Sequence, residues 1–303
     1  MQALLEELVK KNRSLCKEGK VADYIPELKK QNPFTLSITV VTPKGETYQA
    51  GDCSHSFTLQ SISKVLTLIL ALMDHSYEKV FHHVGMEPTG DPFNSIYKLE
   101  MNQPGKPLNP MINAGALAVT SLIQGESVAE RLERLLCLIR AMTGNPDISL
   151  NEDVYRSEAE TAYRNRSLAY FLKEFGIIGD VEETLELYFK QCSIAVTCHD
   201  LAQIGLCLAQ KGKNATGEQV LPVELDRLIK TFMVTCGMYN ASGEFAIKAG
   251  IPAKSGVSGG IMAAVPHKMG IGVFGPSLDE KGNSIAGFQL LQDLSASKNL
   301  SVF

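Results

Sequence analysis

The sequence predicts an α+β fold: an antiparallel-centred sheet flanked by helices, with a helical lobe inserted between its strands. Two strand-rich segments lie at opposite ends of the 303-residue chain, with a long helix-forming stretch between them. The apolar fraction of 45% and charged fraction of 20% are those of an ordinary globular protein with a sizeable core. The ends therefore pair into one sheet. Residues 1–65 with 216–303 form a sheet domain, residues 66–215 a helical lobe, and a cleft between them is the place for a site.

Residues 3–18 read as a charged amphipathic helix. Phe34, Leu36, Ile38 and Val40 alternate with Thr35, Ser37 and Thr39, which is the period of a half-buried strand. Pro43-Lys44-Gly45 is a turn signal, and Glu46 to Ala50 returns as the hairpin partner. Ser61 opens the apolar run SISKVLTLILALM, long and unbroken enough for a buried helix. Ser127-x-x-Glu130 has the form of a capping box at the start of a further helix. Residues 168–175, 181–189 and 199–210 continue the helical pattern. Ile261 to Val265 and Gly270 to Phe274 are short, β-rich and bounded by Gly and Pro, and residues 284–295 read as a closing helix.

The formal net charge is −4, and no basic run is interleaved with aromatics, which argues against nucleic acid as a partner. No run of about 18 uncharged apolar residues is present, so no membrane span is expected. The amphipathic N-terminus lacks the apolar core of a signal peptide, and the expected location is cytoplasmic. Seven irregularly spaced cysteines agree with that and do not form a disulfide framework. With no C-x-x-C pair, and His82-His83 lacking partners at zinc-finger spacing, no metal site is expected.

A serine hydroxyl needs a nearby base to act as a nucleophile. Ser and Lys at i and i+3 of a helix share one face, and burial can strip the lysine of its proton. The spacing alone is weak. It recurs at Ser14/Lys17 among charges, at Ser95/Lys98 in a Pro/Gly/Asn-rich stretch, and at Ser295/Lys298 in the polar tail. Ser61/Lys64 differs because it opens a strongly apolar helix, which desolvates the lysine and turns the serine N–H toward an incoming oxyanion. Read alone, the pair is equally an N-cap serine with a snorkelling lysine. Lys254-Ser255-Gly256, followed by Val257-Ser258-Gly259-Gly260, adds the second element. Ser-x-x-Lys early and Lys-Ser/Thr-Gly late, on an edge strand, is the pattern of the β-lactamase and penicillin-binding superfamily. Lys254 is then a candidate second cation, lowering Lys64.

Seven stretches make the likeness narrower: GKVADYIPEL (19–28), LQSISK (59–64), NPMINAGA (109–116), SEAETAYRNRSLAYFL (157–172), LYFKQCSIAVTC (187–198), CGMYNASGEFA (236–246) and PAKSGVSGGI (252–261). In these, running in order over nearly the whole chain, the sequence closely resembles the serine-dependent glutaminases of bacterial and mitochondrial type. The resemblance implies hydrolysis of the L-glutamine side-chain amide through a glutamyl ester on Ser61, with Lys64 as base and no metal or organic cofactor. It further implies that Tyr24 and Asn113 line the head-group pocket with Gln60 beside the nucleophile. Glu158 faces the α-ammonium and Asn165 the α-carboxylate. Tyr188 and Tyr239 lie close to Ser61 and relay protons, and the Val257 N–H is the second oxyanion donor. A homodimer or homotetramer is implied too.

Bland readings stand beside these roles. Glu158 fits an exposed carboxylate, Asn113 and Asn165 fit turns, and the tyrosines fit the core. A penicillin-recognising acylase shares both motifs. A cysteine-dependent amidase would use Cys192 or Cys198, which otherwise read, with Cys207, as small buried hydrophobes. Cys198 and His199 are adjacent and point about 100° apart on a helix, a poor dyad. A non-catalytic amino-acid sensor is the remaining alternative.

Overall fold

The computed structural model describes residues 1–97, 99 and 105–303, so Lys98 of the Ser95/Lys98 pair lies outside the described residues. Helix α1 (Gln2–Asn12) is shorter than its charge pattern suggests and continues as a 3₁₀ stretch, Arg13–Lys17. Asn12 Nδ2 donates to Leu8 O at 3.0 Å, drawing on a carbonyl of the last helical turn. Strands β1 (Ser37–Val41) and β2 (Thr47–Gly51) form the expected hairpin, with Ile38 opposite Ala50. β1 starts later than the alternation, because Leu36 is engaged by Asp52 through both its N–H and its carbonyl.

Strand β3 (Phe57–Thr58) runs into α2 (Ser63–Asp74), followed by α3 (Tyr77–His83), α4 (Asn113–Thr120), α5 (Val128–Thr143), α6 (Glu152–Thr161), α7 (Tyr163–Glu174) and α8 (Val181–Cys192). Strand β4 (Ala195–Val196) pairs with β3, and α9 (Cys198–Ala209), α10 (Leu225–Cys236) and α11 (Ser242–Lys248) lead to β5 (Ala253–Ser255), β6 (Gly260–Val265), β7 (Met269–Phe274) and α12 (Ile285–Lys298). The capping box at α5 is half formed. Ser127 accepts from the Glu130 N–H, but the Glu130 carboxylate accepts from the Glu126 N–H instead. A reciprocal box occurs at Thr197 and Asp200, which start α9.

The two ends of the chain do meet in one antiparallel sheet, ordered β2-β1-β7-β6-β5. Leu5, Leu8, Leu290, Leu291 and Leu294 of α1 and α12 pack on Ile38, Val40, Ile261, Ile271 and Val273 on one face. Helix α9 lies on the other. Alternate glycines make that approach possible, since a Cβ on Gly270 would stand 2.0 Å from Ala202 O and Leu206 N. A larger apolar core joins α2, α5, α9 and α10. No helix among the described residues is long and apolar enough to cross a membrane. All seven cysteines are free, and Cys192, Cys198 and Cys207 are buried as expected.

Candidate active site

The chain reaches Ser61 by a route the sequence does not show. Ser61 is not the first residue of the apolar helix; it sits in a one-turn 3₁₀ segment, Gln60–Ile62, and α2 begins two residues later. The interruption is at Gln60, whose φ of +47° is left-handed, a costly state for a non-glycine residue. Ser63 Oγ caps the turn by donating to Gln60 O at 2.7 Å. Both Ser61 and Lys64 are buried, and Lys64 is fully so. Lys64 Nζ donates to Asn113 Oδ1 at 2.6 Å and has a long contact with Met111 O at 3.5 Å. Burial in the apolar helix lowers its pKa from 10.5 to about 8. No hydrogen bond joins Lys64 to Ser61. Elsewhere the bland form of the motif is visible: Ser76, a Ser-x-x-Lys serine that the sequence reading passed over, caps α3 by accepting from the Lys79 N–H.

Lys254 and Ser255 lie on β5, the edge strand, as expected, and Gly256 follows directly after it. Lys254 is completely buried, donates to Ser255 O at 2.6 Å, and stands 4.4 Å from the centre of the Tyr239 ring. Burial, with the charge of Lys64 next, drives its pKa well below the usual value. Gly256 is needed for packing: a Cβ there would come within 2.7 Å of Leu59 O. Its absence lets the β5–β6 turn press against the Ser61 turn. Neither the Ser61 nor the Val257 N–H is taken up by another part of the described chain. Tyr239 also has a left-handed φ, +53°, and its ring lies tilted by 36° against Phe93, with centroids 4.7 Å apart. Its hydroxyl is buried without a well-formed hydrogen bond and interacts with Ser61, while burial raises its pKa.

A cavity of about 130 Å³ opens beside Ser61, and its wall includes Tyr24, Gln60, Asn113, Glu158, Asn165, Tyr188 and Val257. Lys64, Lys254 and Tyr239 stand behind that wall rather than on it. Glu158 is not the exposed carboxylate of the bland reading; it is 5% exposed, on α6. No lysine or arginine forms an ion pair with it among the described residues. Gln60 Nε2 donates to it at 3.4 Å, and burial lifts its pKa from 4.5 to about 8, against the lowering effects of Gln60 and Lys64. Asn113 Nδ2 donates to Asn165 Oδ1 at 2.9 Å, so the Asn165 amide N–H groups are left for another partner. Tyr188 is buried on α8. Tyr24 stands at the mouth, 54% exposed as a residue, but its hydroxyl turns inward, where burial and then Tyr239 and Glu158 raise its pKa.

The sequence reading missed Phe93 and Arg164 on the same wall, where Cys192, weighed in that reading as an alternative nucleophile, also stands. Phe93 sits in a Pro/Gly/Asn-rich stretch with no periodicity to mark it. Cys192 lies four residues after Tyr188 on the same helix face. Burial pushes its thiol well above the usual range, keeping it protonated and a poor nucleophile. Cys198 is likewise raised by burial and faces Ser37. His199 contacts Gln203 rather than a thiol.

Comparison with known proteins fits this geometry. Residues 19–303 match the Glutaminase family model. A glutaminase of Geobacillus thermodenitrificans is 60% identical over 99% of this chain and 97% of its own length. The crystal structure of a probable glutaminase of Bacillus subtilis superposes with a TM-score of 0.94 at 46% identity, covering 100% of this chain and 97% of the other. A further structure of a Bacillus subtilis glutaminase, 44% identical with a TM-score of 0.90 over 100% and 99% of the two chains, is a covalent complex with 5-oxo-L-norleucine formed by reaction with 6-diazo-5-oxo-L-norleucine. The chain belongs to the glutaminase family.

Proposed function

We propose that this pocket hydrolyses the side-chain amide of L-glutamine to L-glutamate and ammonia through a glutamyl ester on Ser61. One observation carries the reading. A buried carboxylate, Glu158, with no ion-pair partner among the described residues, shares a small cavity with a serine whose neighbouring lysine is stripped of solvent. Free glutamine has an ammonium for the first and an amide for the second. The covalent product in the Bacillus subtilis protein supports it, because 6-diazo-5-oxo-L-norleucine has the glutamine skeleton with a diazoketone in place of the amide.

In this reading Lys64 accepts the Ser61 proton as Oγ attacks the amide carbon. The N–H groups of Ser61 and Val257 hold the oxyanion, each donor contributing about 2.7–4 kcal/mol. Tyr239 or Lys64 returns a proton to the leaving nitrogen, and ammonia departs. Water then attacks the ester by the same route and frees Ser61. Glu158 holds the α-ammonium, while the Asn165 amide and the Tyr24 hydroxyl meet the α-carboxylate end. Asn113 links that end to Lys64. Tyr188 packs beside the reacting atoms. Lys254, read from the sequence as the cation that lowers Lys64, is instead driven toward its own neutral form by burial and the Lys64 charge, and burial is what lowers Lys64. The sheet domain (residues 1–65 with 216–303) and the helical lobe (66–215) face each other across this cleft. We infer a cytoplasmic protein that assembles as a homodimer or homotetramer.

The test is Ser61→Ala. Turnover is expected to fall by at least about 10³-fold, while calorimetry still detects glutamine binding. Ammonia release within tenfold of the parent would remove Ser61 from the nucleophile role.

A further inference from the structure

We propose that Gln60 is a positioning residue that sets chain-length selectivity, acting as the strut between the head-group carboxylate and the nucleophile. The inference rests on the reading of Glu158 as the ammonium anchor and adds what holds that anchor at its distance.

Glu158 and Ser61 come from elements far apart in the chain: α6 of the helical lobe and the turn before α2. Among the described residues, the side-chain bond that joins these two elements directly is Gln60 Nε2 to Glu158 Oε2, at 3.4 Å. The same amide nitrogen donates to Thr58 Oγ1, also at 3.4 Å, so one side chain ties the carboxylate to the strand leading into the turn. Gln60 is 3% exposed and peptide-bonded to Ser61. Its φ of +47° separates it from Leu59 and Ser63, which are both right-handed, and aims its side chain across the cavity. A strained backbone at a buried non-glycine residue persists only where its surroundings enforce it.

The consequence is a ruler. A substrate fixed by its ammonium at Glu158 must bring its carbonyl carbon to Ser61 Oγ. Glutamine and asparagine differ by one methylene in that span, and a misplacement of about 1 Å costs roughly 10²-fold in rate. Selectivity therefore depends on Glu158 and Ser61 keeping their separation. Without the strut the carboxylate relaxes, and the two substrates are distinguished less well.

The experiment compares kcat/KM for L-glutamine and L-asparagine in the parent, Gln60→Ala and Gln60→Asn. The parent is expected to favour glutamine by about 10²-fold, and a parent with no preference overturns the proposal. Gln60→Asn keeps an amide, tolerates a positive φ and falls one methylene short of Glu158. Its thermal midpoint is expected to stay near the parent value while the selectivity ratio drops at least tenfold, chiefly through a raised KM for glutamine. Gln60→Ala is expected to do the same, and if it does not fold, Gln60→Asn decides. A folded Gln60→Asn protein with the parent ratio overturns the proposal. Glu158→Gln separates the two claims. If it weakens glutamine binding while Gln60→Asn keeps the parent ratio, the strut fails and the anchor stands; if it leaves KM for glutamine unchanged, the anchor fails as well.

Discussion

Two buried ionisable groups make the pocket sensitive to pH, and their signs are opposite. The Glu158 carboxyl is raised from 4.5 to about 8. Between those values the folded protein holds a proton that the unfolded chain has released, so stability falls as pH rises through that window. Lys64 is lowered from 10.5 to about 8. Between about 8 and 10.5 the unfolded chain holds the extra proton, and stability climbs as pH rises. Glu158→Gln removes the first limb alone. Its thermal midpoint is expected to vary less than the parent's between pH 5 and 8, and to exceed the parent's at pH 8. Parallel profiles for the two proteins would mean that Glu158 is not buried as a carboxyl in the free enzyme. The same two groups direct catalysis: Lys64 is a base, and Glu158 an ammonium anchor, only after losing a proton, so kcat/KM is expected to rise from pH 6 toward 9 in the parent.

At the scale of elements, glycine decides how closely backbones approach. Helix α9 lies on β7 because Gly270 has no side chain, and a Cβ there would meet Ala202 O and Leu206 N at 2.0 Å, both backbone atoms. Gly270→Ala is expected to lower the urea-unfolding stability by about 1–3 kcal/mol through overpacking. Gly243→Ala, on α11 with open space around it, is expected to be neutral or slightly stabilising. Equal effects would show that the α9–β7 approach is not tight. Elements also mark what could be read in advance. The β1–β2 hairpin, β6, β7 and α12 follow from period and turn chemistry. Helix α4 does not, because NAGALAVT is short and built of small residues, and α6 does not, because EDVYRSEAET is mostly polar. Both supply pocket residues, so the motif stretches located Asn113 and Glu158 without the helices that carry them. The left-handed turns at Gln60 and Tyr239 were illegible for another reason. They are imposed by contacts with residues far along the chain, and nothing local in LQSISK or CGMYNASG requires them.

For the whole molecule, the site is a product of closure of the chain on itself. Tyr24, Gln60, Ser61 and Val257 face Asn113, Glu158, Asn165 and Tyr188 around one cavity. Val257 follows β5 of the sheet that needs both ends of the chain, Gln60 and Ser61 sit in the turn before α2, Tyr24 precedes β1, and the second group comes from the helices between. A ligand touching both groups binds the assembled protein and not the unfolded chain, so it must raise stability by mass action. At about 100 times its dissociation constant the gain is about 2.7 kcal/mol, equivalent to a rise of roughly 4 °C for a chain of this length. Ser61→Ala permits the measurement without turnover. L-Glutamine is expected to raise its thermal midpoint by that amount. N-acetyl-L-glutamine, which keeps the amide and loses the ammonium, is expected to leave it unchanged at the same concentration. Equal shifts from the two compounds would remove Glu158 from head-group recognition. No shift from glutamine at any concentration would mean that glutamine does not bind the folded protein and would overturn this cavity as its site, because a molecule bridging these two groups of residues cannot bind without stabilising their union.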